Sequence, residues 1–238
     1  MKEMIKRLLG ATGWRLKREP RNKIAGLDLW RDLGILVAPE PVCIDAGANR
    51  GDVTQAFLRL RPSAHVHLFE PSPRMFALLQ KRFAGDTRTH LVNAALGDAS
   101  GSLDFHVYAN DHLSSCLPLS SQAANPYRDA KALQILHVPV TTVNDYCESN
   151  GLRQVDLLKI DTQGFDLAVL RGSEGLFVTR SVAAVMVELN FDTLYDGQAH
   201  ACDVMRHLLD RDFALVDFYE KANGANRIAW CTAVFTRR

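Results

Sequence analysis

The chain has 238 residues, of which 47% are hydrophobic and 23% charged, a balance typical of a globular protein with a sizeable core. Its 28 Lys and Arg residues against 27 Asp and Glu residues leave a formal net charge of +1, so we expect no nucleic-acid partner. The five cysteines form no C-x-x-C pair and no apolar run approaches the roughly 20 residues of a membrane span, which predicts a cytoplasmic protein with reduced thiols.

The first segment is basic. Residues 1–24 carry eight Lys and Arg residues against Glu3 and Glu19, and residues 1–9 have apolar side chains near helical spacing. We expect residues 1–38 to form a basic helical extension ahead of a single domain of residues 39–238. Its basic face is a candidate for weak peripheral contact with a membrane. The alternative is a terminal helix that packs on the core with its charges in water.

Strands and helices are then predicted to alternate. The expected order is strand 42–46, helix 52–61, strand 65–70, helix 73–84 and strand 91–95. The helices rest on apolar residues spaced at i, i+3, i+4 and i+7, with Pro62 ending the first helix and Pro73 starting the second. This rhythm predicts an α/β fold built on a parallel sheet.

The middle of the chain is less regular. Residues 102–108 alternate like an exposed strand, and residues 109–131 are rich in Ser, Asn, Asp and Pro, which predicts a lid-like insertion. Strand 155–160, helix 165–170, strand 183–190 and helix 202–210 follow. Strands 213–219 and 228–235 are joined by a turn-rich segment, so we expect a C-terminal antiparallel hairpin at the sheet edge.

The loop after the first strand carries the clearest ligand signal. It contains Gly47, Asn49 and Gly51 between Asp45 and Asp52. A dinucleotide fingerprint starting at Gly47 would need glycine in place of Asn49 and Asp52, and no Walker pattern follows. The flanking acids would repel phosphates, whereas S-adenosylmethionine carries a sulfonium and an ammonium group and no phosphate. Glu70, at the end of the second strand, can accept the ribose hydroxyls of either ligand class.

Five segments in order are similar to those of FkbM-type methyltransferases: VCIDAGANRGDVT (42–54), VHLFEPSP (66–73), LVNAALG (91–97), LLKIDTQGFDLAVLRG (157–172) and VELN (187–190). The resemblance implies a Rossmann-like, seven-stranded, mostly parallel sheet with helices on both faces. It also implies S-adenosylmethionine as donor and O-methylation of a sugar, glycan or natural-product hydroxyl. By position, it assigns the methionine end of the donor to Asp45, Gly47, Asn49 and Gly51, the ribose to Glu70, and the adenine region to Asn93, with Asp98 as a neighbour.

The carboxyl end of the strand at 155–160 is where reacting groups should gather. Asp161 is the leading candidate for a base or an acceptor-orienting group, and Lys159 lies on the same strand face. The alternative is an aspartate that caps the next helix or pairs with Lys159. Many relatives carry Glu where this chain has Gln163, an amide that cannot take a proton. Glu188 is the second carboxylate expected on this rim, and we expect no metal, since two separated acids are a weak metal signal.

The sequence thus predicts an S-adenosylmethionine-dependent O-methyltransferase with a small-molecule or glycan acceptor. Three alternatives stay open. They are an NAD-linked oxidoreductase on the same architecture, a non-catalytic binding module that keeps the fold, and a nucleic-acid methyltransferase. The last is disfavoured by the confinement of the basic excess to the N-terminus. His112, in the lid-like insertion, is a further candidate for contact with the acceptor.

Overall fold

The computed structural model describes residues 23–24, 26–122, 125–223 and 226–238. The helix predicted at residues 1–9 lies outside these ranges. The strands are β1 Val42–Ala46, β2 His65–Phe69, β3 Thr89–Val92, β4 Ala95–Leu96, β5 Gly101–Val107, β6 Gln134–Thr141, β7 Val155–Ile160, β8 Val182–Asn190, β9 Phe213–Asn223 and β10 Ile228–Arg237. The helices are α1 Leu29–Leu36, α2 Asp52–Leu60, α3 Pro73–Arg82, α4 Val143–Ser149, α5 Asp166–Arg171, α6 Glu174–Val178 and α7 Ala201–Leu209.

Across the described ranges, the main sheet has seven strands in the order β3-β2-β1-β7-β8-β10-β9. Strands β3, β2, β1, β7 and β8 are parallel, and β10 is antiparallel to both β8 and β9. The predicted mostly parallel sheet with a C-terminal antiparallel hairpin is therefore confirmed. The strand order reverses beside β1, and ligands of open α/β sheets bind at the carboxyl ends of the strands next to such a point.

Helices cover both faces of the main sheet, as predicted. Alternate residues of each strand point to opposite faces, so Cys43 packs in the cluster under α1, α2 and α3, whereas Ile44 packs in the cluster under α4 to α7. Because β1 and β7 are buried on both faces, they appear in the sequence as short apolar runs without strict alternation. None of the described helices has the length and apolar character of a membrane-spanning segment.

The main departure from the predicted elements lies between residues 91 and 150. The predicted strand 91–95 is wrong in its extent, because β3 ends at Val92 and β4 joins a small sheet of order β4-β6-β5. Neither β6 nor α4 is predicted. β6 contains Pro139, which demotes a run as a strand candidate, and its apolar Ile135 is 56% exposed, so the inside–outside alternation is weak.

Candidate functional site

The loop from β1 to α2 is bent so tightly that it depends on glycine. Gly47 has φ +75°, and a Cβ added there would lie 2.0 Å from the carbonyl oxygen of Asp161. Its backbone N–H and that of Ala48 donate to the carbonyl oxygen of Phe69, at 3.1 and 2.9 Å. Asn49 follows with φ +47°, in the left-handed region that asparagine tolerates better than most residues. The loop thus lies across the ends of β1, β2 and β7.

A buried lysine, Lys159, is hydrogen-bonded to the backbone of this loop. The Nζ of Lys159 donates to the carbonyl oxygens of Gly47 at 2.8 Å and Ala46 at 3.3 Å. It also lies 2.8 Å from Oδ1 of Asp45, whose Oδ2 accepts a hydrogen bond from the Thr54 hydroxyl at 2.6 Å. Lys159 and Asp45 are both buried, and together they hold the loop in place against β1 and β7.

The protonation state of Lys159 follows from its neighbours. Burial alone lowers the pKa of its ammonium, but the carboxylates of Asp45 and Asp161 outweigh burial and the pKa is raised. Lys159 therefore stays protonated. It can position backbone and carboxylate oxygens, and it cannot serve as a base at neutral pH.

Glu70, the residue after β2, is a buried carboxyl group that grips the same loop. Its Oε2 accepts the N–H of Asn49 at 2.8 Å and its Oε1 accepts the N–H of Ser72 at 2.9 Å. Burial raises the pKa of Glu70 to about 7, although these two hydrogen bonds lower it. Each oxygen keeps a free lone pair for a ligand donor. Nearby, Oδ1 of Asn49 is buried and has no hydrogen-bond partner in the described part of the chain.

These groups border a cleft of about 700 Å³, called the first cleft below. Of the predicted site residues, Gly47, Asn49, Glu70 and Asp161 line it. An apolar part of its wall consists of Phe69, Met75, Ala95, Leu96, Phe105 and Phe165. No lysine or arginine is among the described residues that line it.

Part of the predicted lid-like insertion closes the first cleft. Asp111, His112, Ser114 and Cys116 line it, so His112, the candidate for contact with the acceptor, lies at the first cleft. Oδ2 of Asp111 lies 3.2 Å from Nη2 of Arg50, and its Oδ1 lies 3.1 Å from Nη1 of Arg74. Since both arginines are more than half exposed, each pair contributes little to stability. They nevertheless attach the insertion to the loop and to α3.

Asp161 lies at the end of β7 in a fixed orientation. Its Oδ1 accepts a hydrogen bond from Nε2 of Gln163 at 2.8 Å, and Nζ of Lys159 lies 3.9 Å from its Oδ2. The Tyr195 hydroxyl, fully buried, donates to Oε1 of Gln163 at 3.0 Å. The carboxylate of Asp161 is 37% exposed, so it is oriented by two neighbours and still open to a ligand.

Asp161 does not cap α5, whose N-cap residue is Phe165 with no side-chain cap hydrogen bond, and the turn before the helix is held by Asp166. Asp166 is buried at the start of α5. Its carboxylate accepts hydrogen bonds from the Thr162 N–H at 2.9 Å, the Thr162 hydroxyl at 3.0 Å and the Gly164 N–H at 3.1 Å. Because Asp166 satisfies these backbone groups, the carboxylate of Asp161 stays open to the first cleft.

Glu188 lines a second cleft of about 410 Å³, at the carboxyl ends of β7 and β8. Lys159, Glu220, Trp230 and Thr232 also line the second cleft, and Asp161 lines both clefts. Burial, together with the nearby carboxylates of Asp161 and Asp166, raises the pKa of Glu188 well above its usual range. Asp161 and Glu188 therefore lie at one rim of the sheet, as expected. Both line the second cleft, and Asp161 also lines the first.

Four of the seven predicted donor-binding residues do not line the first cleft. Asp45 and Gly51 lie behind the loop, where a Cβ at Gly51 would lie 2.5 Å from the Phe83 ring. Asn93 is exposed and its Nδ2 donates to the carbonyl oxygen of Glu70 at 2.8 Å. Asp98 is exposed and borders a separate surface groove. The chain bends away at Asn93 because β4 joins the small sheet, and this brings the apolar Ala95 and Leu96 to the wall instead.

The sequence matches one family model and several known proteins. A family model described as the methyltransferase FkbM domain matches residues 45–215. Over 186 residues, 75% of each chain, the sequence is 31% identical to the 2-O-methyltransferase NoeI of Sinorhizobium fredii (strain NBRC 101917 / NGR234). It is 30% identical over 155 residues to Methyltransferase 1 of Beauveria bassiana (strain ARSEF 2860), and this alignment covers 57% of this chain and 61% of that relative.

A solved structure agrees with the fold. The crystal structure of methyltransferase FkbM from Methylobacillus flagellatus KT matches with a TM-score of 0.53 at 13% identity, over 83% of this chain and 44% of that chain. This chain thus spans less than half the length of that solved relative. At this identity the match concerns the Rossmann-like fold.

Proposed function

This chain belongs to the FkbM methyltransferase domain family, and we propose that it transfers a methyl group from S-adenosylmethionine to a hydroxyl group of a sugar, glycan or natural-product acceptor. The single observation that carries the proposal is the first cleft. It combines a tight glycine loop, a buried Glu70 carboxyl group and a wall without lysine or arginine in the described residues. Support for oxygen as the acceptor atom comes from the 2-O-methyltransferase relative.

The residues of the first cleft fit this donor. Both oxygens of Glu70 are held by backbone N–H groups, so the carboxyl group is preorganised to accept two ribose hydroxyls. The unpartnered Oδ1 of Asn49 can accept a hydrogen bond from the donor's methionine end, beside Gly47. Adenine fits the apolar wall around Met75 and Leu96. An NAD-linked oxidoreductase would instead have to bind a pyrophosphate with no cationic side chain among the described lining residues.

When bound, S-adenosylmethionine supplies a methyl group activated by the adjacent sulfonium. The acceptor oxygen would take this methyl group, and the electron pair of the broken carbon–sulfur bond would stay on sulfur. The chain's part is to align the acceptor oxygen with that bond and to take the hydroxyl proton. We assign the proton to the carboxylate of Asp161, which lines both clefts. Gln163 and Lys159 are positioning residues that orient it.

Calorimetry tests the donor half of this proposal. S-Adenosylhomocysteine is expected to bind wild-type protein with one site, and Glu70→Ala to weaken it strongly, since a buried hydrogen-bonding partner is lost. NADH serves as the competing ligand. Binding of NADH with no binding of S-adenosylhomocysteine would favour the oxidoreductase alternative. S-Adenosylhomocysteine binding without methyl transfer to any member of a broad hydroxyl acceptor panel would favour a non-catalytic module.

The pKa of Glu70 near 7 predicts pH-dependent donor binding. Ribose hydroxyls bond more strongly to the carboxylate than to the carboxylic acid. The ionised fraction rises from about a tenth at pH 6 to about nine tenths at pH 8, so we expect S-adenosylhomocysteine affinity to rise about tenfold over this range. The control is Glu70→Gln, whose affinity should be weaker and flat. An equally flat wild-type profile would contradict the assignment.

The same pKa predicts the pH dependence of stability. The pKa of Glu70 is 4.5 in the unfolded chain, the usual value, and about 7 in the folded protein. Between these two pH values the folded protein binds one more proton at Glu70 than the unfolded chain does. The free energy of unfolding therefore falls as the pH rises through this window, by about 3 kcal/mol relative to Glu70→Gln. Urea denaturation of both proteins at pH 5 and pH 8 measures it. If the free energy of unfolding of wild type relative to Glu70→Gln rose between pH 5 and pH 8, the prediction would be wrong.

A further inference from the structure

The second cleft adjoins the first at Asp161, which lines both. We propose that the second cleft binds the acceptor, and that it admits a neutral, hydroxyl-bearing group and excludes anionic acceptors. This inference rests on the proposed methyl transfer, because Asp161 can take a proton from an acceptor only if that acceptor lies beside it.

Acidic side chains predominate around the second cleft, and with the pKa of Glu188 raised by burial its negative charges are those of Asp161 and Glu220. Asp161, Glu188 and Glu220 line it, and the single lysine there among the described residues is Lys159. That ammonium lies 2.8 Å from the buried carboxylate of Asp45, so little of its charge is available to a ligand. Carboxylate oxygens accept hydrogen bonds from hydroxyl groups, whereas an anionic acceptor would meet like charges at short range.

A β-bulge delivers one of these carboxylates. Trp230 pairs with Ala222, and Thr232 pairs with Tyr219. Two residues of β9, Glu220 and Lys221, therefore stand opposite one residue of β10. Bulges of this kind re-aim side chains and are common beside active sites. The consequence here is that the Glu220 side chain reaches the second cleft from the edge strand.

The bulged carboxylate is held in line with Glu188. Oε2 of Glu220 accepts a hydrogen bond from the Thr232 hydroxyl at 3.0 Å, and Thr232 pairs with Glu188 across β10 and β8. Three neighbouring strands thus place carboxylate, hydroxyl and carboxylate in a row. Glu220 adopts φ +47°, a left-handed backbone conformation that is unfavourable for a residue with a side chain.

Trp230 supplies the remaining feature of the second cleft. It lies on β10 immediately before the bulge and lines the same cavity. An indole offers a broad apolar face, on which the C–H face of a saturated ring can rest while its hydroxyl edge meets the carboxylates. Aromatic surface with a few placed polar groups is the usual composition of a ligand site.

Saturation-transfer NMR tests the proposal on protein saturated with S-adenosylhomocysteine. The probes are a panel of neutral methyl hexopyranosides and the matching methyl hexuronates. We expect signals from at least one neutral glycoside and from none of the uronates. Trp230→Ala should reduce the glycoside signal at least tenfold while leaving the affinity for S-adenosylhomocysteine within about twofold. The double variant Glu188→Gln with Glu220→Gln should allow uronate signals, and Glu148→Gln, an exposed change in α4, should not.

The outcomes separate this proposal from the proposed function. Failure of wild-type protein to bind S-adenosylhomocysteine would refute the donor assignment itself. Normal donor binding with no glycoside signal, with equal glycoside and uronate signals, or with signals unchanged in Trp230→Ala would overturn the acceptor site alone. Retained donor affinity in each variant also shows that the substitution has not unfolded the protein.

Discussion

Replacing Asp161 with asparagine is expected to lower kcat for methyl transfer by about 10² to 10⁴-fold, the usual effect of a general base. The amide keeps the size of the side chain and can still contact Gln163, but it cannot accept a proton. Because Asp161 lies at the border of the first cleft rather than in its ribose-binding part, affinity for S-adenosylhomocysteine should change by no more than a few fold. The measurement is kcat at saturating S-adenosylmethionine with the best acceptor of the panel.

The matched control is Asp104→Asn, which changes a 66% exposed carboxylate on β5 and should leave kcat unchanged. If the variant kept a rate within about threefold of wild type, positioning alone would account for the catalysis and the base would have to be another group.

Replacing Gly47 with alanine is expected to destabilise the protein by about 2–5 kcal/mol, from backbone strain and steric overlap together. Gly47 has φ +75°, and the added Cβ would lie 2.0 Å from the carbonyl oxygen of Asp161. The loop would have to move away from β7, which breaks the Lys159 hydrogen bonds. Affinity for S-adenosylhomocysteine should fall at least a hundredfold. Urea denaturation and calorimetry measure the two effects.

Gly85 provides the control for the conformational part of this effect. It has φ +77°, and an added Cβ would have no atom within 4 Å. Gly85→Ala therefore carries only the left-handed cost of about 1–2 kcal/mol, and donor affinity should stay as in wild type. Equal destabilisation by both substitutions, with donor affinity retained in Gly47→Ala, would show that the close approach of the loop to Asp161 is unimportant.

The sequence predicts the sheet well where strands are central. β1 and β7 are predicted with their observed bounds, and α2, α3 and β8 within one or two residues, because burial on both faces or an amphipathic pattern leaves a strong periodic signal. The small sheet is different. β4 has two residues and β6 carries Pro139 and exposed apolar side chains, so local pattern cannot separate them from loop.

Much of the candidate site can likewise be located from the sequence, but the roles of its residues cannot. Gly47, Asn49, Glu70 and Asp161 do meet at one cleft. Lys159, by contrast, lies closer to Asp45 than to Asp161, which is a property of strand pairing. The contact of Gln163 with Tyr195 joins residues on separate elements, and the placement of Glu220 depends on a bulge. Such contacts have no local sequence signal.

The most direct test of the central claim is a crystal structure of the protein with S-adenosylhomocysteine. The account predicts the ligand in the first cleft, with both ribose hydroxyls on the Glu70 carboxylate, the methionine end beside Gly47 and Asn49, and the sulfur facing the border with the second cleft at Asp161. A ligand bound elsewhere, or one in the first cleft whose ribose makes no contact with Glu70, would contradict it.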